Sequence, residues 1–336
     1  LPEARGACVE LLNKRGEIVS CHMDGRELAA APMNALRLYK DVPRLFDAWD
    51  IDSNYESQPV ELPQEAELTV ETAKGLTASL RLTRRLTKQS VLTQIISLDT
   101  ESTQVNFATE VEWHELHRLL KVVFPTNIRA ENAKNEMQFG YVERPTHRSR
   151  AYDKDRFEVC MHRYTALDDA AHGCAVLSDS KYGVGVEDGT VGLTLLRAAA
   201  SPELRSDQGH HAFTYAFTAW EGGFLDAPVV EAGYALSVPP VVVSGTTAAF
   251  SAFGVEPANM ILETVKLADD GSGDMILRLY ESKKADTVFT LHTSLPVTRA
   301  QLCDMRETPL SDAALREGSV TIHARAFEVI TLRLSR

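Results

Sequence analysis

Carboxylates beside an aromatic ring are the first chemistry the chain offers. In Asp47-Ala48-Trp49-Asp50-Ile51-Asp52, Asp50 and Asp52 stand two apart, so a strand places both on one face with Trp49 adjacent. Acids that accept from hydroxyls, next to a ring that stacks on C–H faces, suit sugar recognition; a solvated strand end beside one core tryptophan looks the same. Ser178-Asp179-Ser180-Lys181-Tyr182-Gly183 reads as a surface hairpin, and its density of polar groups also makes it a candidate cleft rim. In Asp207-Gln208-Gly209-His210-His211 the adjacent histidines diverge on a strand and do not chelate one metal easily. One inward His bonded to Asp207 is expected there, with a ligand-facing role as the alternative. His114-Glu115-Leu116-His117 has its histidines three apart, whereas the helical zinc motif needs four, so a structural role is expected. No Ser-His-Asp order, nucleophile elbow, phosphate-binding glycine loop or CxxC pair occurs. Acidic residues abound, so counting alone leaves a two-carboxylate glycosidase pair open.

The elements that must position these groups are strands. Leu76, Ala78, Leu80 and Leu82 share one face of an alternating pattern. So do Val105, Phe107, Val111 and Trp113, then Leu120, Val122 and Phe124, and again Phe213, Tyr215 and Phe217. One buried and one solvated face per strand predicts antiparallel sheets stacked face to face. Asn13-Lys14-Arg15-Gly16, Glu187-Asp188-Gly189 and the Asp269-Asp270-Gly271-Ser272-Gly273 stretch predict turns, since Asp-Gly tolerates positive φ. A short helix is expected over 311–317, stopped by Gly318. The charge-poor, Pro- and Val-rich stretch 238–257 reads as an edge strand plus connector, with three or four strands after it. The expected organisation is therefore all-β: a large antiparallel β-sandwich over 1–237 and a smaller one over 238–336.

Composition narrows the partners. The chain has 336 residues and a net charge of −12, which repels phosphate backbones and anionic lipid, so neither nucleic acid nor a membrane surface is expected. No apolar run approaches the ~18–20 residues of a membrane span. The five cysteines are scattered, without zinc or disulfide spacing, and point to reduced thiols in a cytoplasmic protein. Leu1 is not an initiator residue and 1–10 lacks a signal-peptide core, so the chain reads as a cut from something longer.

Several of these stretches resemble the C-terminal region of glycoside hydrolase family 38, the retaining α-mannosidases, in its cytoplasmic and bacterial branch. Asp47-Ala48-Trp49-Asp50-Ile51 is similar to its "DAWDI" segment. Phe124-Pro125 with Glu136-Met137-Gln138-Phe139-Gly140-Tyr141 resembles "VxFP…EIQFG", and 178–183 resembles "NDSKYG". Leu193-Thr194-Leu195-Leu196-Arg197 with 207–211 and Phe213-Thr214-Tyr215 resembles "LTLLR…DxGxHxFTYAL". Residues 259–267, 276–281 and 327–334 are similar to the segments that close the family pattern. Two places depart from it: Trp220 stands after the "FTYAL"-like strand in place of "PH", and His162-Arg163-Tyr164 replaces "AHRW".

The resemblance implies that the large sandwich is of the galactose-mutarotase-like super-sandwich type. It implies that the nucleophile and a divalent metal, zinc, belong to an N-terminal α/β barrel outside these residues. No catalytic residue, metal ligand or cofactor is then expected in this chain. The expected role is to scaffold that catalytic domain and complete its mannoside or oligosaccharide cleft, with Arg197, Trp49, Asp50, Asp207 and His211 as substrate-binding candidates. Arg197 follows an apolar run, which puts it at a strand end; an arginine there ordinarily is solvated or pairs with a surface acid. Family members assemble through these domains, so a homo-oligomer and an exposed apolar face on the first sandwich are expected. A stand-alone carbohydrate-binding sandwich is the alternative. Mutarotase-type epimerisation lacks a suitably spaced His and Glu in the sequence.

Overall fold

Alternation in sequence becomes burial in the fold. Val105–Trp113 buries every second residue, from Val105 through Phe107, Thr109 and Val111 to Trp113. A computed structural model describes residues 7–11, 13–73 and 75–336, with side chains from 13 onward. Leu1 and the Cys8 side chain therefore lie outside the described residues. Contacts divide the chain into two units: residues 1–136 with 142–240, and 137–141 with 241–336.

In the first unit a nine-stranded antiparallel sheet has Gly209–Glu221 flanked by Val105–Trp113 and His172–Ser178. A six-stranded sheet has Arg118–Pro125 between Thr190–Leu196 and Ala35–Lys40. Their inner faces meet in one core: Phe124 of the smaller sheet stacks on Phe217 of the larger at 5.6 Å between ring centroids, and lies 5.8 Å from Phe107. Each such side chain, fully buried, contributes on the order of 1.5–3 kcal/mol. Within the same unit Asn34, Gln94, Thr109 and Tyr215 are buried and satisfy one another: Asn34 Nδ2 donates to Gln94 Oε1 at 2.8 Å, Gln94 Nε2 donates to the Tyr215 oxygen at 2.8 Å, and the Tyr215 hydroxyl donates to Asn34 Oδ1 at 2.6 Å. Those bonds remove the desolvation cost of the polar groups and pin the strand register.

The expected turns form. Asp188 and Gly189 have φ of 44° and 79° between Gly183–Glu187 and Thr190–Leu196, and a Cβ on Gly189 would stand 2.9 Å from two backbone carbonyls. Leu76 precedes its strand, Thr77–Arg85, and is exposed, while the inward phase of that strand ends on a charge, Arg84.

The second unit contains a four-stranded and a five-stranded antiparallel sheet, with Leu277, Leu279, Phe289, Leu291, Leu332 and Leu334 in its core. Eight strands follow Phe253–Glu256, against the three or four expected. The helix expected over 311–317 is not there: Pro309–Ala313 pairs with Arg299–Cys303, Leu315–Arg316 pairs with Ser319–Ala324, and Gly318 (φ 74°) makes a hairpin turn instead of a helix stop. Partner strands supplied by the sheets override a weak local helix preference. Of the stretch 238–257, Phe253–Glu256 is an edge strand and the preceding residues form no regular element. No helix among the described residues is long and apolar enough to cross a membrane.

Candidate functional site

Arg197 leaves the sheet directly after Thr190–Leu196 and turns its guanidinium onto a loop of distant sequence. Nε donates to Asp41 Oδ2 at 2.7 Å, and Nη2 donates to the carbonyls of Asp47 at 3.1 Å and Asp50 at 2.7 Å. A planar fork is suited to this: one group holds a buried carboxylate and two carbonyls in fixed directions. The same loop is held from a second side by Asp47, whose Oδ2 accepts from the backbone N–H groups of Ala200 (2.8 Å) and Ser201 (3.1 Å) and lies 3.1 Å from His117 Nε2. Burial acts to raise the pKa of Asp47, but the bonds from Ala200, His117 and Ser201 outweigh it and hold the carboxyl below its ordinary value. Backbone bonds from Asp41 N to His117 O and from His117 N to Ala198 O complete the clamp.

The clamped loop is not a strand, so Asp50 and Asp52 do not share a sheet face. Trp49 and Asp50 both donate their backbone N–H to Phe46 O, with Phe46 at φ 56°. Asp50 Oδ1 accepts from the next backbone N–H, Ile51, at 2.9 Å, and Asp52 Oδ2 accepts from Arg44 N at 3.2 Å. The result is an outward display: Trp49 is 74% exposed, against 0% and 4% for Trp113 and Trp220, and Leu45 and Phe46 are also exposed.

Asp207 precedes the strand Gly209–Glu221, and His211 lies at its start. His211 Nε2 is 2.6 Å from the Asp207 backbone carbonyl, so the contact expected between a histidine and Asp207 forms, through the main chain and on a half-buried ring. The link to Arg197 runs through Trp113, which pairs with Gly209 in the sheet and donates its indole N–H to Arg197 O at 2.9 Å. The 178–183 turn docks beside this segment. Asp179 Oδ2 accepts from Thr214 N at 2.7 Å, and Lys181 Nζ lies 4.4 Å from the centroid of Phe213. Burial draws the Lys181 pKa down against the opposing carboxylates of Asp207 and Asp179.

Two groupings escaped the sequence because their members are far apart in the chain. His210 Nδ1 and Glu112 Oε1 meet at 2.8 Å across paired strands, both more than half exposed, which supplies the His–Glu pair that spacing did not reveal. Glu136 is buried against Arg163, which donates N to Oε2 at 2.7 Å and Nη1 to Oε1 at 2.9 Å; burial nevertheless pushes the Glu136 carboxyl up. The only signal for either lay in the alternation that assigns each residue a face. Among the described residues, no three or more His, Cys, Asp or Glu side chains converge so as to hold a metal ion. These residues do not fit a metal centre.

Two family models match. One, described as the glycosyl hydrolases family 38 C-terminal domain, covers residues 6–205; the other, the family 38 C-terminal beta sandwich domain, covers residues 259–332. The chain is 39% identical over 321 residues to alpha-mannosidase 2C1 of Homo sapiens, an alignment covering 92% of this chain and 31% of that protein. It is 32% identical to alpha-mannosidase G of Dictyostelium discoideum, over 89% of this chain and 29% of that protein. It thus spans under a third of the length of these curated relatives. A crystal structure of an alpha-mannosidase from Enterococcus faecalis V583 shares the fold, with a TM-score of 0.79 at 16% identity over 98% of this chain and 41% of that one.

Proposed function

Because the chain belongs to the glycosyl hydrolase family 38 C-terminal domains, we propose that it serves as the C-terminal portion of a retaining α-mannosidase, completing the mannoside cleft of that enzyme. The observation that carries this reading is the loop that holds Trp49 74% exposed while Arg197, Asp41 and Asp47 fix its backbone. An aromatic ring held rigidly in the open contributes stacking area to a sugar without first having to be ordered. Asp50, Asp207 and His211 are proposed as its polar companions, and Arg197 as the group that positions the Trp49 loop.

On this reading the nucleophilic and acid/base carboxylates of retention lie in an N-terminal catalytic domain, the chain's own partner. A divalent metal, zinc, is assigned to that domain too, where it would hold adjacent sugar hydroxyls. Domains at 1–237 and 238–336, a homo-oligomer and a cytoplasmic location belong to the same proposal; the free thiols of Cys160, Cys174 and Cys303 support a reducing compartment.

The test uses the full-length protein and an aryl α-mannoside. Trp49→Ala is expected to lower kcat/KM by up to about tenfold, the worth of one stacked ring. An unchanged kcat/KM would remove Trp49 from the cleft, and robust turnover by the isolated 336-residue chain would place catalysis here. The exposed Trp49 also favours a second reading, a stand-alone sugar-binding sandwich; saturable mannose binding by the isolated chain, lost in Trp49→Ala, would select it.

A further inference from the structure

Arg84 stands where an apolar residue belongs. In Thr77–Arg85 it shares the inward phase of Ala78 and Leu82, and it is 3% exposed. Its contacts leave it incompletely partnered. Nη1 donates to Arg15 O at 3.4 Å and Nη2 to Pro63 O at 3.1 Å, while Nε–H has no acceptor among the described residues. Burial lowers its pKa, and the neighbouring cations Arg15 and Arg37 act in the same direction against Glu17. A charged donor left without an acceptor away from water is costly, and such groups in native folds call for a missing partner.

Nε itself is closed off from solvent, as is Glu17 Oε1, which also lacks a hydrogen-bond partner among the described residues; the Arg84 residue nevertheless borders open space. Arg84 lines an open cleft of about 370 Å³ together with Arg15, Arg37, Tyr39, Glu61 and Gln64. Arg37 is 43% exposed at its side chain and stands 3.6 Å from the buried carboxylate of Glu17. Glu56, on the same wall, is already engaged by two bonds from Arg148, at 2.8 and 3.0 Å. Three arginines therefore line the cleft with Glu61 and the engaged Glu56, and Glu17 lies against Arg37, in a chain whose net charge is −12. A local cationic surplus against an acidic background attracts anions, and guanidinium forks match the oxygen geometry of phosphate. A neutral sugar would leave that surplus uncompensated.

We propose that the cleft lined by Arg15, Arg37 and Arg84 binds a phosphate group, either free or as a phosphate monoester. It is separate from the Trp49 loop and independent of the mannosidase reading. Arg84 supplies the fixed inner donor and Arg37 the accessible outer one. The rival account makes Arg84 only a clamp on the carbonyls of residues 15 and 63, and then no anion binds.

Calorimetric titration of the full-length protein with inorganic phosphate in dilute neutral buffer separates the two. Saturable one-to-one binding is expected, displaced by sulfate and not by mannose. Arg37→Gln and Arg15→Gln, which alter less buried side chains, should each weaken it by at least about tenfold, the loss of one charge-assisted contact. Arg129→Gln, an exposed arginine outside the cleft, should bind as the parent does, with circular dichroism confirming that all three variants fold. Mannose 6-phosphate binding more tightly than phosphate would identify a monoester as the ligand; equal affinity would identify the free ion. No saturation up to about 10 mM phosphate, or undiminished binding by both cleft variants, would overturn the proposal.

Discussion

Arg197 in the first unit and Glu281 in the second are both charges at strand ends that hold loops through backbone atoms, yet what they hold differs in kind. Glu281, at the end of Met275–Glu281, is 0% exposed and accepts from Asn259 Nδ2 (2.9 Å) and from the backbone N–H groups of Lys283 (2.8 Å), Ala285 (3.0 Å) and Phe327 (3.1 Å). Its turn closes inward, with Ser282 and Lys283 buried. Arg197 instead holds a loop that turns Leu45, Phe46 and Trp49 out to solvent. Both residues fall in family-like segments of the sequence, so motif membership does not separate a structural clasp from a display. The exposure of what the charge holds does.

That contrast predicts a graded set of effects. Glu281→Ala should be the most damaging change. It leaves three backbone donors and an amide without their acceptor, and removing one side of such a buried charged network costs about 3–5 kcal/mol, to be read from the urea midpoint. A loss below about 1 kcal/mol would show that water replaces the carboxylate and that the clasp is weak. Arg197→Lys keeps the charge on Asp41 but loses the fork to the two carbonyls, so a stability loss of about 1–2 kcal/mol is expected. The sharper readout is limited proteolysis, which should cut faster within 42–50 in the variant and leave the second unit as it was.

Acid should open the Arg197 side of the comparison further. The folded pKa of Asp47 is lowered, so its contribution to stability is present above the unfolded value, near 3.8, and is lost as pH falls through the folded value. As the folded carboxyl protonates, at a pH below its ordinary value, the bonds to Ala200 and Ser201 weaken and the loop loosens. Since Trp49 is the exposed tryptophan of the three, fluorescence anisotropy of a Trp113→Phe, Trp220→Phe background follows it directly. Anisotropy that stays flat from pH 6 down to the onset of acid unfolding would mean that Asp47 does not hold the loop. The smallest effect on folding is expected from Trp49→Ala, within about 0.5 kcal/mol, because an exposed ring touches little. A larger loss would show that the ring packs on its own loop and is not a free display.

Much of the fold was legible in the residues, and the reason is local. Period-two burial in Val105–Trp113 and positive φ at Asp188-Gly189 depend on a few neighbouring residues, so the sandwich architecture and its hairpins follow from composition in sequence order. Local signals failed where partners decide. Val229–Ser237, expected only as part of the all-β sandwich over 1–237, is a helix, with Gly233 fitting closely against Arg163; residues 311–317 look helical and are largely paired strands.

The sequence by itself determined the two-sheet patterning, the turns and the ordered segments that mark the family, because each rests on the period of a strand or the φ of one residue. Only the tertiary structure decided that Arg197 meets Asp41, 156 positions away, that His210 meets Glu112, 98 positions away, and that Arg84 lies inside the core phase beside Arg15 and Arg37. Those meetings depend on strand register and on how the two sheets close over each other. A slip of one residue turns every side chain of a strand to the opposite face, and no local preference encodes that choice.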